Sequence, residues 1–440
     1  MKKMLPLMIS MTLGSVSTFA TADDLAQIYD LAKENDPTLL RSAAERDAAF
    51  EAIEQSRSTF LPQVNLTASY DINRTDYSSE SVSTDNNSFT AGIGFTQELY
   101  KRSSWLNLDQ SEKSARQADA AYAAEQQSLI LRVATAYFEV LRAQDSLEFV
   151  RAEKAAVARQ LEQTKQRFEV GLSAITDVHD AQAQFDSVLA SEVVSENSLI
   201  NSYESLREIT GQEHTDLNIL DTESFSAARL SETPEALLEQ AQTQNLTLLS
   251  ARISQDIARD NIELASSGRL PSLTLDGSYG LLDRTDESGN NTDVDYNSFN
   301  LGLNFSMPLY TGGNINSQVK QAQFNYVAVS ESLEASYRGV VTTVRSSYNN
   351  VNASIGTIKA YEQSVISAKS ALEATEAGFD VGTRTIVDVL DSTRSLYDAN
   401  RNLSNARYDY LISILNLRQA VGTLSEQDVM DINAGLKAQG

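Results

Sequence analysis

The sequence predicts a mixed α+β membrane protein, in which a β-barrel assembled from several chains continues into a barrel of long helices. Four segments alternate apolar and polar residues over strand-length stretches. Two further segments of about 70 residues are poor in glycine and proline and carry apolar residues at helical spacing. The same order of segments occurs twice, which indicates an internally duplicated chain.

The N-terminus has the pattern of a secretory signal peptide. Lys2 and Lys3 precede a short apolar stretch, which ends at the small-residue motif Ala20-Thr21-Ala22. We predict cleavage after Ala22, so that the signal peptide is 1–22 and the mature chain begins at Asp23. No later stretch approaches the ~18 apolar residues of a transmembrane helix, so an exported chain that enters a membrane must do so by other means.

Composition argues against several classes of function. The formal net charge is −25, there is no cysteine, and there are two histidines. An acidic surface repels nucleic acid, so we expect no nucleic-acid partner. Without cysteine there is no disulfide, thiolate nucleophile or lipid anchor. The sequence contains no P-loop, H-E-x-x-H or G-x-S-x-G motif, so we expect no catalytic residue, metal site or cofactor.

The second half of the chain repeats the first at an offset of about 210 residues. Residues 167–180 align with 378–391, with identical Phe, Val, Gly, Ile, Asp, Val and Asp. We therefore divide the chain into repeats at 23–231 and 232–440. Each repeat begins with a helical run and continues through two strands, a very long helix, a tight turn and a shorter helix. It ends in a less regular segment, the belt segment, which is expected to lie where the short helices meet.

The predicted elements have the following bounds. The first repeat has a helical run over 24–60, strands over 62–73 and 88–100, helices over 101–170 and 172–211, and a belt segment over 212–231. The second has a helical run over 232–269, strands over 271–283 and 296–310, helices over 313–381 and 383–421, and a belt segment over 423–440. Long polar loops are expected at 74–87 and 283–297, as on the outer face of outer-membrane barrels.

Strand number predicts the assembly. A soluble sandwich is the alternative for alternating strands, but four strands cannot cover a second sheet. Four strands also cannot close a barrel, for which about eight is the minimum. Two chains would give a barrel filled by side chains, whereas three would give twelve strands and a lumen. We therefore expect a homotrimer, with a twelve-stranded transmembrane β-barrel and a twelve-helix α-barrel held by coiled-coil packing.

Over its whole mature length the sequence resembles the TolC outer-membrane efflux family. The motifs that carry the resemblance lie at strand starts, at the ends of the long helices and around the helical turns. They are Leu61-Pro62, Leu270-Pro271, ATAYF at 134–138, QRFEVG at 166–171, AITD at 174–177, PLYTGG at 308–313, NSQVKQAQ at 316–323 and VGTRTIVDVLD at 381–391.

The resemblance implies a homotrimer in the cell outer membrane, in contact with its lipid, with a long periplasmic extension that is closed at rest. It implies coupling to inner-membrane efflux pumps or ABC transporters through periplasmic adaptor (membrane fusion) proteins, for drug efflux and type I secretion. The alternative is a periplasmic adaptor, which also carries long helical hairpins but lacks four lipid-type strands.

Two acids form the main candidate site. Asp388 and Asp391 are three residues apart, so they share one helix face. The residues alone leave open whether they are a solvated helix start or two stacked carboxylate rings on a trimer axis. The resemblance places them at the periplasmic constriction, as a cation-binding ring. The first repeat carries the equivalent pair Asp177 and Asp180.

The resemblance also implies a latch that holds the tip shut. It assigns this latch to Arg384, Thr176 and Asp177, with Gln160 and Glu334 at a further contact between helices. The family has a tyrosine where this chain has Phe379, so that hydroxyl is missing here. Gly171 and Gly382 are expected to form the tip turns.

Overall fold

The computed structural model describes residues 23–77, 82–286 and 293–438. The expected signal peptide, 1–22, lies outside the described residues. Within the described ranges, both halves of the chain have the same order of elements: two helices, a strand pair, a very long helix and a shorter helix.

The helices are α1 (Leu25–Asn35), α2 (Pro37–Ser58), α3 (Arg102–Glu169), α4 (Ile175–Thr210), α5 (Pro234–Gln244), α6 (Leu246–Ser267), α7 (Asn314–Asp380), α8 (Ile386–Val421) and α9 (Glu426–Asn433). The strands are β1 (Gln63–Tyr77), β2 (Val82–Lys101), β3 (Ile219–Leu220), β4 (Ser272–Asp286), β5 (Val294–Ser306) and β6 (Leu436–Lys437). β3 and β6 pair with each other in the belt.

The expected polar loops are wrong over most of their length. Strand pairing continues into them from both sides, with Asn73 opposite Asn86 and Arg74 opposite Asp85. Backbone groups make the ladder, so the pairing does not need apolar side chains. The last strand is shorter than predicted, ending at Ser306 instead of 310, because Pro308 has no N–H to donate to a ladder.

Each expected leading helical run is two helices. Asp36 and Asn245 leave helical geometry, with ψ of 117° and 121°, and each side chain accepts a hydrogen bond from the N–H three residues on, at Leu39 and Leu248. Each is the N-cap of the helix that follows. A proline follows the N-cap residue of α2 and of α5, in the pairs Asp36-Pro37 and Thr233-Pro234, where a missing N–H costs no helical hydrogen bond.

The main sheet has two open edges. Its strand order is β1-β2-β4-β5, with every neighbouring pair antiparallel. The two hairpins meet where Phe95 lies opposite Gly277, and a Cβ at Gly277 would lie 2.2 Å from the Phe95 ring. β1 and β5 each have a partner on one side within the chain.

The two long helices, α3 and α7, form a wall, and each packs against two shorter helices, one along each half of its length. α2 packs on the first part of α3, and α4 packs on the second, through contacts such as Ser56–Ser111 and Arg151–Glu196. The second repeat stacks α6 and α8 along α7 in the same way, for example through Gln255–Ser330. α3 joins the repeats, since it contacts both α6 and α8.

The largest apolar cluster lies where the short helices meet. Tyr137 and Phe138 of α3 are fully buried there, and the Phe138 ring stacks on Tyr408 of α8 at 5.7 Å. Belt residues such as Leu217 and Val429 close the cluster from one side. No helix in the described part of the chain is long and apolar enough to span a membrane.

A buried ion pair fixes the junction between α1 and α2. Two guanidinium nitrogens of Arg132 donate to the Asp36 carboxylate at 2.8 and 3.0 Å, and the Asp36 side chain is 3% exposed. Burial raises the pKa of Asp36, but the Arg132 guanidinium, the Thr38 hydroxyl and the Leu39 N–H together outweigh burial and lower it to about 2.

We expect Arg132→Met to lower the free energy of unfolding by about 2 kcal/mol at pH 7. This is less than the ~3–5 kcal/mol of a fully buried pair, because the Arg132 side chain is 33% exposed. Thermal unfolding followed by circular dichroism would measure the loss.

The same pair predicts a pH dependence. The folded pKa of Asp36, about 2, lies below the unfolded value of ~3.9. Its contribution to stability is therefore complete above about pH 4 and is lost as the pH falls through about 2. Asp36→Asn should remove this part of the acid destabilisation; an unchanged acid profile would contradict the assignment.

Candidate functional site: the helical tip

Two tight turns close the helical hairpins at the end of the chain farthest from the strands. Gly171 and Gly382 take φ of 76° and 77°, a left-handed conformation that side chains other than glycine rarely adopt. Gly171 donates to the Phe168 carbonyl and Gly382 to the Phe379 carbonyl. Both glycines therefore occupy the turns in which the sequence places them.

Asp388 is held by the start of α8. Its Oδ2 accepts hydrogen bonds from the Thr385 N–H at 2.8 Å and from the Thr385 hydroxyl at 2.9 Å, while the Thr385 hydroxyl oxygen accepts from the Asp388 N–H. This is a complete capping box. The Thr385 N–H and hydroxyl, aided by the Arg384 charge, hold the pKa of Asp388 below its usual range.

Asp391 is more exposed and pairs within its own helix. Its Oδ1 lies 2.7 Å from Arg394, and the two side chains are 59% and 53% exposed. Ile386, Val389 and Leu390 of α8 are buried against the first repeat. At ~100° per residue, both acids lie about 150° from the centre of that packed face. The carboxylates thus share a surface turned away from the rest of the chain.

The equivalent acids of the first repeat are placed differently. Asp177 caps α4, accepting from the Ser173 hydroxyl at 2.6 Å and the Ala174 N–H at 3.2 Å. Ala181, Phe185 and Val188 form the packed face of α4. At ~100° per residue, Asp177 lies about 50° and Asp180 about 110° from its centre. The duplicated pairs are therefore alike in sequence but differ in orientation.

Arg384 is exposed beside the second turn, over Gly378. A Cβ at Gly378 would lie 2.8 Å from Arg384 Cγ, so the glycine leaves room for the arginine side chain. The first repeat has the reverse arrangement, with Arg167 and Ser173 at these two positions. Within the described part of this single chain, the Arg384 guanidinium makes no hydrogen bond or ion pair with Thr176 or Asp177.

The structure separates the two residues expected at the further tip contact. Gln160 lies near the end of α3, with its side-chain Oε1 buried and without a hydrogen-bond partner. Glu334 lies roughly 46 residues before the end of α7, which is about 70 Å at 1.5 Å per residue. It pairs there with Arg338 at 2.7 Å. Placing Glu334 at the tip is therefore wrong.

One tip contact was not foreseen from the sequence. The Arg167 guanidinium lies 4.4 Å from the centre of the Phe379 ring, which joins the ends of α3 and α7 by a cation–π contact. Phe379 therefore has a defined role without a hydroxyl. The sequence signal was present, since Arg167 and Phe379 occupy neighbouring positions of the duplicated motif.

Fold and tip together define a class of protein. A membrane-type sheet with open edges runs through Lys101 into a helix of 68 residues that ends at a polar, acid-bearing tip. Among the described residues, no group of histidines and acids is arranged to hold a metal ion. These features are those of a transport channel of the outer membrane.

The chain belongs to the outer membrane efflux protein family. The family's sequence profile matches twice, at 28–212 and at 237–423. This membership identifies an outer-membrane transport protein and sets aside the alternative of a periplasmic adaptor.

Individual relatives agree with this assignment. The chain is 68% identical to outer membrane protein TolC of Vibrio cholerae serotype O1, over 99% of both chains. It is 48% identical to TolC of Escherichia coli K12, over 99% of this chain and 90% of that protein. It is 30% identical to alkaline protease secretion protein AprF of Pseudomonas aeruginosa, over 91% and 85% of the two chains.

Solved structures show the same fold at low identity. CusC matches with a TM-score of 0.78 at 16% identity, covering 91% of this chain and 92% of that one. The CmeC outer membrane channel of Campylobacter jejuni matches with a TM-score of 0.76 at 18% identity, covering 99% and 98%.

Proposed function

We propose that three copies of this chain form an outer-membrane efflux duct. The duct exports drugs, small toxic molecules and secreted proteins, and is coupled to inner-membrane pumps through periplasmic adaptors. The observation that carries the proposal is the four-stranded sheet with open edges at β1 and β5. In lipid, unpaired backbone groups are costly, so both edges need a neighbouring chain.

Side-chain exposure supports the membrane placement of the sheet. Large apolar residues alternate along both edge strands and are 60–81% exposed within the single chain. They are Leu66, Tyr70 and Ile72 of β1 and Phe299, Leu301, Leu303 and Phe305 of β5. So much exposed apolar surface is costly in water and favourable against lipid.

The breadth of cargo is supported by the relatives' names. AprF is named for alkaline protease secretion. A relative from Pseudomonas putida, SrpC, is named as the outer membrane protein of a solvent efflux pump, at 22% identity over 94% of this chain. A wide common duct, with specificity supplied by the attached pump, accounts for both protein and small-molecule cargo.

We expect the protein purified in detergent to have the mass of three chains, because each open edge requires a partner. Native mass spectrometry measures this directly. Chemical cross-linking provides a second readout and should stop at the trimer. A monomer or a dimer would contradict the proposed architecture.

We expect Arg384→Ser to raise single-channel conductance severalfold in planar bilayers. In the proposed trimer, the exposed Arg384 pairs with Thr176 or Asp177 of a neighbouring hairpin, and serine cannot make that contact. Arg338→Ser is the matched control, since Arg338 is exposed on α7 but pairs with Glu334 far from the tip. Equal conductance of the two variants would count against the latch.

The acid pair predicts a block by cations. Three copies of Asp388 and Asp391 would place six carboxylates around the trimer axis. Their mutual repulsion is relieved by binding cations, most strongly trivalent ones. We therefore expect a cation-selective channel that a trivalent cation blocks from the periplasmic side.

Asp388→Asn with Asp391→Asn should abolish this block. Asparagine is preferred to alanine because its side-chain oxygen still accepts the Thr385 N–H and preserves the cap. Asp180→Asn, in the first repeat and outside the proposed latch, is the internal control and should leave the block intact. If the control loses the block and the first variant keeps it, the hairpin of the first repeat lines the lumen instead of the hairpin that carries Asp388 and Asp391.

A further inference from the structure

A polar cavity lies in the helical wall where α6 and α8 meet end to end. It has a volume of about 700 Å³, within the ~300–1,000 Å³ of small-molecule sites. α7 forms one side, the end of α8 and the start of α6 form the other, and Gln127 of α3 lies at the back. None of the acids, latch residues or turns of the tip contributes to it.

The lining is uncharged, although 22% of the chain's residues are charged. Every described residue that lines the cavity is neutral, and most carry a hydroxyl or an amide. They include Ser336, Thr343, Ser347, Asn350, Asn416 and Gln419. A charged ligand would lose its hydration here without gaining an opposite charge, so the lining favours a neutral polar ligand.

Ser347 is the strongest sign that the cavity holds a ligand. It is 8% exposed and lines the cavity, yet its hydroxyl has no hydrogen-bond partner among the described residues. Neighbouring hydroxyls on α7 donate back to their own helix, as Thr343 does to Gly339 and Ser346 does to Thr343. The Ser347 Oγ is not among the fully buried polar atoms, so it is reached from the cavity and can donate to or accept from a ligand there.

The remaining lining groups define the kind of ligand. The hydroxyls of Ser336, Thr343 and Ser413 have already donated to backbone carbonyls, so they present acceptor lone pairs to the cavity. The Asn416 amide nitrogen donates to Ile412, which leaves its oxygen as an acceptor. These acceptors, together with the N–H groups of the lining amides, fit a ligand whose hydroxyls both donate and accept.

Gly339 widens the cavity in the middle of a helix. Glycine there costs ~1 kcal/mol relative to alanine, yet nothing lies within 4 Å of where a Cβ would be. Close packing within the chain therefore does not require this glycine. The open space at Gly339 belongs to the cavity.

A neighbouring chain would not fill this space. Val344 and Val351 of α7 pack under the belt helix α5, and the cavity residues lie about 80° around the helix from them at ~100° per residue. The same cluster includes Tyr410 and Leu417 of α8, so the cavity lies beside the packed seam between α7 and α8, with a lining that comes from this chain. A neighbouring chain in the proposed trimer would contact the opposite flank of α7.

We propose that this cavity binds a small, neutral, hydroxyl-rich molecule, a saccharide or polyol, with Ser347 as its central hydrogen-bonding residue. The site lies at the level of the belt and does not depend on the tip being open or closed.

Saturation-transfer NMR on the intact assembly tests the proposal with sucrose as the probe. The protein is held in an amine-oxide detergent, because sugar-headed detergents would compete. We expect saturable transfer to sucrose and none to glucuronate or glucosamine, which carry a charge. Absence of transfer to sucrose, or equal transfer to the charged sugars, would overturn the assignment.

Two pairs of variants locate the site. Gly339→Leu should abolish binding by filling the cavity, whereas Gly356→Leu, at a helix glycine that is equally open but outside the cavity, should not. Ser347→Ala should weaken binding about fivefold, the effect of one neutral hydrogen bond, whereas Ser346→Ala should not. Native mass checks that each variant still assembles. Wild-type affinity in Gly339→Leu would refute the site.

Discussion

The rest of the structure follows from a sheet that cannot pair all of its own backbone. β1 and β5 present unpaired N–H and C=O groups, and in lipid such groups have no water to bond. Closure must come from other chains. Duplication supports this solution, because one chain then supplies four strands and a matching set of helices. The helical wall inherits the geometry of the barrel, since Lys101 joins β2 directly to α3.

The sequence predicted most of this fold because the dominant signals are periodic and long. Alternation of apolar and polar residues along Val64, Leu66 and Ile72 indicates a strand, and long stretches without glycine or proline indicate long helices. The ends of the hairpins were missed because pairing there depends on backbone bonds between polar residues, such as Asn73 and Asn86. The helix breaks at Asp36 and Asn245 were both missed because each interrupts the helical pattern at a single residue.

The candidate site was predictable in composition but not in orientation. Spacing alone placed Asp388 and Asp391 on one face of a helix. Which way that face turns depends on how α8 packs against α3, through residues such as Val157 and Ile386. Glu334 was misplaced for a simpler reason. The position of a residue along a helix follows from the rise per residue. Glu334 lies far from the tip end of α7, whereas Gln160 lies near the tip end of α3, so helix packing cannot bring the two side chains together.

The contacts between the helices change in character along α3. Where the short helices meet, the two repeats contact each other through Tyr137, Phe138 and other apolar residues. Next along α3, polar groups join the apolar packing. Asp145 accepts from Ser404 and from Tyr408, and burial raises the pKa of both Asp145 and Glu153. Buried polar contacts add little net stability compared with apolar packing. The apolar cluster where the short helices meet has more buried members than the one nearer the tip, which includes Val157, Val188 and Ile386, so apolar packing holds the hairpins most firmly at that level.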